Sequence, residues 1–452
     1  MASTELYDEA LRPQFHFSPM KNWTNDPNGL VYYKGEYHLF FQHNPEGINW
    51  GNMTWAHAVS PDLVHWTQLD HAIYPDELGT IFSGSAVVDR DNTAGFQTGD
   101  EKVLVAIYTS AGSHATPEKP FTQSIAYSND RGRTWAKYGG NPVLEHIIGA
   151  NRDPKVIWHE PTGKWVMALY LDADNYALFG SPNLKEWTKL CDVKLAGDSE
   201  CPDFFELPVD GDPSSRKWVF WGGSGTYQLG SFDGETFDPE TGVLAAERGA
   251  NGYAAQSYSD IPADDGRRIQ ISWLRGGKYP DMPFNQQMTF PVELTLRTFP
   301  EGVRLCREPV AEIETIRERT HKSENTALNP GDGLLSGISG ELFDIRAEVK
   351  PGDAGFEINV GGQPVRYDAA KKELVCPGFE KSAALDPIKG RIRLQILVDR
   401  TSIEVFGNGG KVSMSYFSVP DKSKPILSMT ALGGAVNIVS LEVHELRSTW
   451  RK

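Results

Sequence analysis

Three short motifs in this chain set a carboxylate among turn-forming neighbours: Asn25-Asp26-Pro27-Asn28-Gly29, Arg152-Asp153-Pro154 and Glu200-Cys201-Pro202-Asp203. Taken singly, Asn-Asp-Pro and Asn-Gly are turn chemistry, and Arg beside Asp is often a surface pair. Their positions say more. Asp26 lies 40 residues before Trp66, Asp153 lies 34 before Trp187, and Glu200 lies 37 before Phe237. The three acids therefore hold similar places in three copies of a repeat. Carboxylates gathered at one point raise one another's pKa, which separates an acid from a base. Two or three of them in a polar, aromatic-lined pocket are the equipment of glycoside hydrolysis. Trp23, Trp50, Trp55, Phe82 and Trp273 fall near predicted strand ends and offer flat faces to sugar C–H groups. Asn25, Gln42 and Ser83 offer partners to hydroxyls.

The elements that must position these residues follow from the repeat. Ser60-Pro61-Asp62-Leu63-Val64-His65-Trp66-Thr67-Gln68-Leu69 and Ser181-Pro182-Asn183-Leu184-Lys185-Glu186-Trp187-Thr188-Lys189-Leu190 agree at six of ten positions. Looser copies run from Ser128 to Trp135 and from Phe232 to Phe237. The anchors Trp66, Trp135, Trp187 and Phe237 are 69, 52 and 50 residues apart. A period near fifty with one aromatic per unit predicts propeller blades of four short strands. Four anchors plus a last unit around residues 251–300 predict five blades, with the first strand of each lining a central channel. The intervening runs, such as Val103–Tyr108 and Lys164–Tyr170, are rich in β-branched and aromatic residues.

The repeat stops near residue 310. The charged run Glu312–Arg319 reads as a short helix or linker, and strands then resume without the fifty-residue period. Ile392, Leu394, Ile396 and Val398 alternate with polar residues; only Leu397 breaks the pattern. Asn408-Gly409-Gly410 is a strong turn. The expected fold is all-β: a propeller over residues 1–310, a linker over 311–332 and a β-sandwich over 333–452.

Composition narrows the functional classes. Among 452 residues, 44 Lys and Arg against 60 Asp and Glu leave a net charge of −16. That balance argues against nucleic acid or an anionic membrane as partner. No apolar run approaches a membrane span. The four cysteines form no C-x-x-C pair and are expected as free thiols, although Cys191 and Cys201 lie close enough in sequence to bridge. No metal-ligand spacing, phosphate loop or nucleophile elbow occurs, so neither metal nor cofactor is expected. Met1-Ala2-Ser3-Thr4-Glu5 lacks the pattern of a secretory leader. The protein is then either cytoplasmic, or secreted or periplasmic with its leader already removed.

The run Gln14-Phe15-His16-Phe17-Ser18-Pro19, followed by Asn22-Trp23-Thr24-Asn25-Asp26-Pro27-Asn28-Gly29, resembles the signature of glycoside hydrolase family 32, which holds invertases, levanases and inulinases. Phe41-Gln42-His43-Asn44-Pro45, Trp50-Gly51-Asn52-Met53, Phe82-Ser83-Gly84-Ser85, Arg152-Asp153-Pro154 and Glu200-Cys201-Pro202 match as well. Leu397–Phe406 is similar to the family's C-terminal sandwich.

The resemblance implies a five-bladed propeller with a sandwich and a retaining mechanism on terminal β-fructofuranosyl units of levan, inulin or sucrose. It implies Asp26 as nucleophile, Glu200 as general acid and then base, and Asp153 as stabiliser of the transition state. Asn25, Gln42, Trp50, Ser83 and Arg152 match positions that hold the terminal fructose, with Phe82 beside them and Trp273 as a pocket wall. A retaining enzyme would carry the Asp26 and Glu200 carboxyls about 5–5.5 Å apart. Glu200 would hold its proton near neutral pH. Thr54 stands where many relatives carry His, beside the expected rim. The loop Ala111–Pro120 is expected to shape the pocket mouth. A sucrose-preferring invertase, a fructosyltransferase, a hydrolase of arabinan or xylan and a non-catalytic fructan-binding module are the alternatives. Linkage preference, exo or endo action and oligomeric state stay open.

Overall fold

A computed structural model describes residues 6–421 and 423–450. Met1–Glu5, on which the leader reading rests, lie outside it. The N-terminal part consists of successive antiparallel meanders. The first runs through Asn22–Tyr33, Glu36–Asn44, Thr54–Ser60 and Thr67–Gln68. The second runs through Thr80–Asp89, Val103–Ala111, Thr122–Ser128 and Ala136–Lys137. The third runs through Arg152–His159, Lys164–Asp172, Asn175–Ser181 and Thr188–Lys194. The fourth begins with Asp203–Val209. It shares one ten-stranded sheet with the last group, which begins at Gly252–Ser257; Val209 pairs with Leu296 across the junction.

The opening strands of these groups pack on one another in a closed circuit. Asn22–Tyr33 contacts Thr80–Asp89, which contacts Arg152–His159, then Asp203–Val209, then Gly252–Ser257, which returns to Asn22–Tyr33. This is a propeller-like domain. Its axis is lined by the strands that carry the acidic motifs.

The two Ser-Pro-x-Leu…Trp segments and the looser copy from Ser128 to Trp135 share one local structure. Trp66 Nε1 donates to Leu63 O (3.1 Å), Trp135 Nε1 to Gly132 O (3.0 Å) and Trp187 Nε1 to Leu184 O (3.1 Å). Leu63 and Leu184 both take left-handed backbone angles, with φ of 65° and 61°. Asp62 and Asn183 cap the turn by accepting backbone N–H bonds. The Trp ring then starts the short outer strand.

The C-terminal domain packs a six-stranded sheet on a five-stranded one around a single apolar core. Residues 311–332 are not a free linker. Ala311–Ile316 is a 3₁₀ turn, and Arg317–Leu328 is a strand paired with Val436–Leu446 at the sheet edge. Its charged residues face solvent on that edge, which is why it reads as a linker. Leu397 explains its own break in the alternation. Ile392, Leu394, Ile396 and Val398 enter the sandwich core, whereas Leu397 points the other way into the propeller's core.

Between the domains His16 lies fully buried. Its Nδ1 is 2.8 Å from Asp399 and its Nε2 is 2.8 Å from Glu404. The two carboxylates push His16 up to about 9, against the opposing effect of its burial. It is therefore charged at neutral pH and pairs the propeller with the sandwich.

Candidate active site

The acidic motifs arrive at one end of the ring because the opening strands are bulged there. The pairing of Asn22–Tyr33 slips between Thr24 and Pro27, so Asn25 and Asp26 sit in the irregularity. A second slip, between Ile81 and Gly84, holds Phe82 and Ser83. A third follows Tyr253. A bulge leaves residues out of the ladder and re-aims their side chains. Gly84 is needed at its bulge, since a Cβ there would lie 2.0 Å from Ile107 O. Asp153 (φ 63°), Glu200 (φ 60°) and Cys201 (φ 40°) all hold left-handed angles. Non-glycine residues do so at a cost of roughly 1–3 kcal/mol each, a strain concentrated at functional sites.

The result is one cavity of about 440 Å³. Asn25, Asp26, Gln42, Trp50, Phe82, Ser83, Arg152, Asp153, Glu200 and Trp273 all line it. Four further residues do so without having been singled out for it by sequence: His114, Phe121, Ala150 and Tyr253. Tyr253 belongs to no acidic motif. Its only signal is its place on the opening strand of the last group. His114 lies in the loop that was expected at the mouth.

Ser83 Oγ donates to Asp26 Oδ2 (2.5 Å), and Asn25 Nδ2 donates to Asp26 Oδ1 (3.1 Å). Cys201 Sγ lies 3.6 Å from Asp26 Oδ2 and 3.5 Å from Asp153 Oδ2, so one thiol touches both acids. Cys201 N also donates to Asp153 Oδ2 (3.1 Å). Glu200 is held differently: Arg152 Nη2 donates to its Oε1, and the Tyr253 hydroxyl donates to its Oε2 (2.6 Å). Trp273 is fixed by donation from Nε1 to Gln286 Oε1 (3.2 Å) and faces Trp23 edge-on.

These contacts order the acids. Burial pushes Asp26 up, and the charge of Glu200 adds to it, while Ser83 and Asn25 pull it down; the net is upward. Asp153 is pushed up to about 7, chiefly by burial, with the charges of Glu200 and Asp26 adding and Arg152 opposing. Burial also pushes Glu200 up, but the Tyr253 hydroxyl and Arg152 outweigh it, and the net is downward. Glu200, expected from the sequence to hold a proton near neutral pH, is instead pulled toward its charged form by these two partners. Arg152 and Tyr253 both reach Glu200, whereas burial and the charge of Glu200 leave Asp26 and Asp153 shifted upward.

Some expected site features move into the core. Trp55 is fully buried and donates to Phe82 O (3.0 Å), so it supports the Phe82 strand from behind. Thr54 is buried, donates to Asn52 O (3.0 Å) and does not line the cavity. The four cysteines are free thiols.

The family model "Glycosyl hydrolases family 32 N-terminal domain" matches residues 16–309, and the family's C-terminal model matches residues 312–445. The chain belongs to glycosyl hydrolase family 32. Among family 32 relatives, the levanase of Bacillus subtilis (strain 168) is 45% identical over 99% of this chain and 72% of its own length. The solved exo-inulinase of Aspergillus awamori superposes with a TM-score of 0.88 at 31% identity, covering 98% of this chain and 100% of that one. The β-fructofuranosidase of Schwanniomyces occidentalis, solved with fructosyl-erythritol, gives 0.87 at 28% identity over 99% and 100%.

Proposed function

We propose that this chain is a retaining exo-β-fructosidase that removes terminal β-D-fructofuranosyl units from levan and inulin-type fructans and from sucrose. One observation carries the reading: three carboxylates distant in sequence line a single cavity, two of them touching one buried thiol. The volume falls within the ~300–1,000 Å³ range of small-molecule sites, which suits one chain end better than a long strand of polymer.

In this reading Asp26 attacks the anomeric carbon as its bond to the leaving oxygen breaks, and Glu200 gives that oxygen its proton. Ser83 and Asn25 aim the attacking carboxylate. Arg152 is shared: when a fructose hydroxyl draws it from Glu200, Glu200 loses a cationic neighbour and its proton affinity rises at the moment a proton is needed. Once Asp26 is esterified its charge is gone, Glu200 becomes more acidic, and it takes the proton of the incoming water. The water oxygen bonds to the anomeric carbon and Asp26 leaves as carboxylate. Asp153 accepts hydrogen bonds from fructose hydroxyls and favours the positive charge that develops on the ring.

A polymeric substrate lies outside cells, so the reading includes secretion. Activity confined to the lysate of the source cells, with none in the medium or periplasm, would count against that part. The test of the activity is a product time course on levan, inulin and sucrose. Fructose alone from the start on levan and inulin, and fructose with an equal amount of glucose on sucrose, is the expected result. Early oligosaccharides would overturn exo action, and no product from any of the three would overturn the activity.

A further inference from the structure

The loop between Val103–Ala111 and Thr122–Ser128 sends one polar ring to the cavity mouth. Its first turn, Gly112–His114, is 3₁₀. Gly112 O accepts from both Ala115 N and Lys119 N (2.9 Å each), and Lys119 Nζ reaches Glu77 O (2.6 Å). A Cβ on Gly112 would lie 2.4 Å from Pro120 O, so the turn closes tightly. His114 is therefore presented from a pinned loop.

The His114 ring centroid lies 5.5 Å from Trp50 and 5.5 Å from Phe82, and Phe82 lies 6.0 Å from Trp50. Trp50 is 49% exposed, a large apolar surface left open at the rim. Among the described residues, neither the His114 ring nor the Trp50 indole N–H has a hydrogen-bond partner. Phe82 adjoins Ser83, which binds Asp26. The His114–Trp50 pair thus stands one layer outward from the carboxylates. A flat indole beside an unpartnered imidazole suits a sugar ring, with C–H groups on the one and a hydroxyl on the other. Resting on the function proposed above, the terminal unit fills the space over the carboxylates, so the ring at the rim is the next one, on the leaving-group side.

We infer that His114 is a specificity-determining residue for the second sugar unit, binding a hydroxyl of the leaving group while that ring packs on the exposed face of Trp50, a residue that the resemblance alone gave to the terminal unit. Substrates whose leaving group lacks a sugar ring do not use it.

The experiment compares native protein, His114→Ala and His114→Gln on a fructan trisaccharide, on sucrose and on methyl β-D-fructofuranoside. In His114→Ala the ratio of kcat/KM for the trisaccharide to that for the methyl glycoside falls about 3–10-fold, the size of one neutral hydrogen bond. The loss appears in KM, with kcat nearly unchanged. His114→Gln, which keeps a donor and an acceptor, recovers most of the ratio. Equal losses on all three substrates would make His114 a structural residue and overturn the inference, as would no change on any. A native protein inactive on all three would overturn the proposed function, a result separable from either of those.

Discussion

The Tyr253 hydroxyl donates to Glu200 Oε2 at 2.6 Å, joining the opening strand of the last meander to the turn that leads into the opening strand of the fourth. With Arg152 it holds Glu200 below the usual carboxylate range despite burial. Removing the hydroxyl removes a bond to the charged form, so the pKa of Glu200 rises. In Tyr253→Phe the acid stays protonated to higher pH, and the alkaline limb of kcat/KM moves up. A pH profile on sucrose or a fructan checks this. An unmoved limb would separate Glu200 from the proton that limits the reaction.

Asp26→Asn keeps the shape of the side chain and its contact with Ser83. The fold is expected to survive with an unchanged melting temperature, while kcat falls by about 10³-fold or more, as for loss of other covalent nucleophiles. Mass spectrometry of quenched native turnover should find a fructosyl adduct that the variant lacks. Full activity in Asp26→Asn would sink the nucleophile assignment.

Cys201 is buried against Asp26 and Asp153, and burial with those two charges holds its thiol well above the ordinary value. It stays protonated and slow to react. Cys306 and Cys376 are also buried, whereas Cys191 is partly exposed. An aromatic disulfide reagent on native protein should label Cys191 first, and all four cysteines after denaturation without reductant. Fewer than four in the denatured chain would reveal a bridge.

Histidines bound the stability range from both sides. His16, raised to about 9 between Asp399 and Glu404, contributes fully below its unfolded value of 6.5, and the contribution is lost as pH rises through about 9. His38, held down to about 3 by burial and the Arg133 charge, is buried neutral. His57, 2.9 Å from it, is lowered by burial and by His38. For these two the folded state resists protonation, so stability falls as pH drops below about 6.5. Melting temperature against pH should decline on both sides of neutrality. His16→Gln removes the shared cation, leaves two buried carboxylates facing each other, and should cost about 3–5 kcal/mol. It should also flatten the alkaline decline, and an alkaline decline unchanged in the variant would show that His16 is not its source.

Much of the site was legible because its residues sit at a repeated phase. Asp26, Asp153 and Glu200 each precede an anchor aromatic by a similar interval, and a meander turns equal intervals into equal positions on the ring. Leu397 was visible as an exception without its reason, since the other domain it packs against is remote in the chain. Trp55 and Thr54 are sequence neighbours of the site without lining it, because their strand, Thr54–Ser60, is buried on both faces. Residue types, a fifty-residue rhythm and turn chemistry determined an all-β ring with acids at its mouth. Only the tertiary structure decided that Tyr253 and Arg152 converge on Glu200, that one thiol serves two aspartates, and in which direction the surroundings shift each acid. Those outcomes depend on burial and on distances of a few ångströms between strands far apart in sequence, and electrostatic energy varies too steeply with both to be read from spacing along the chain.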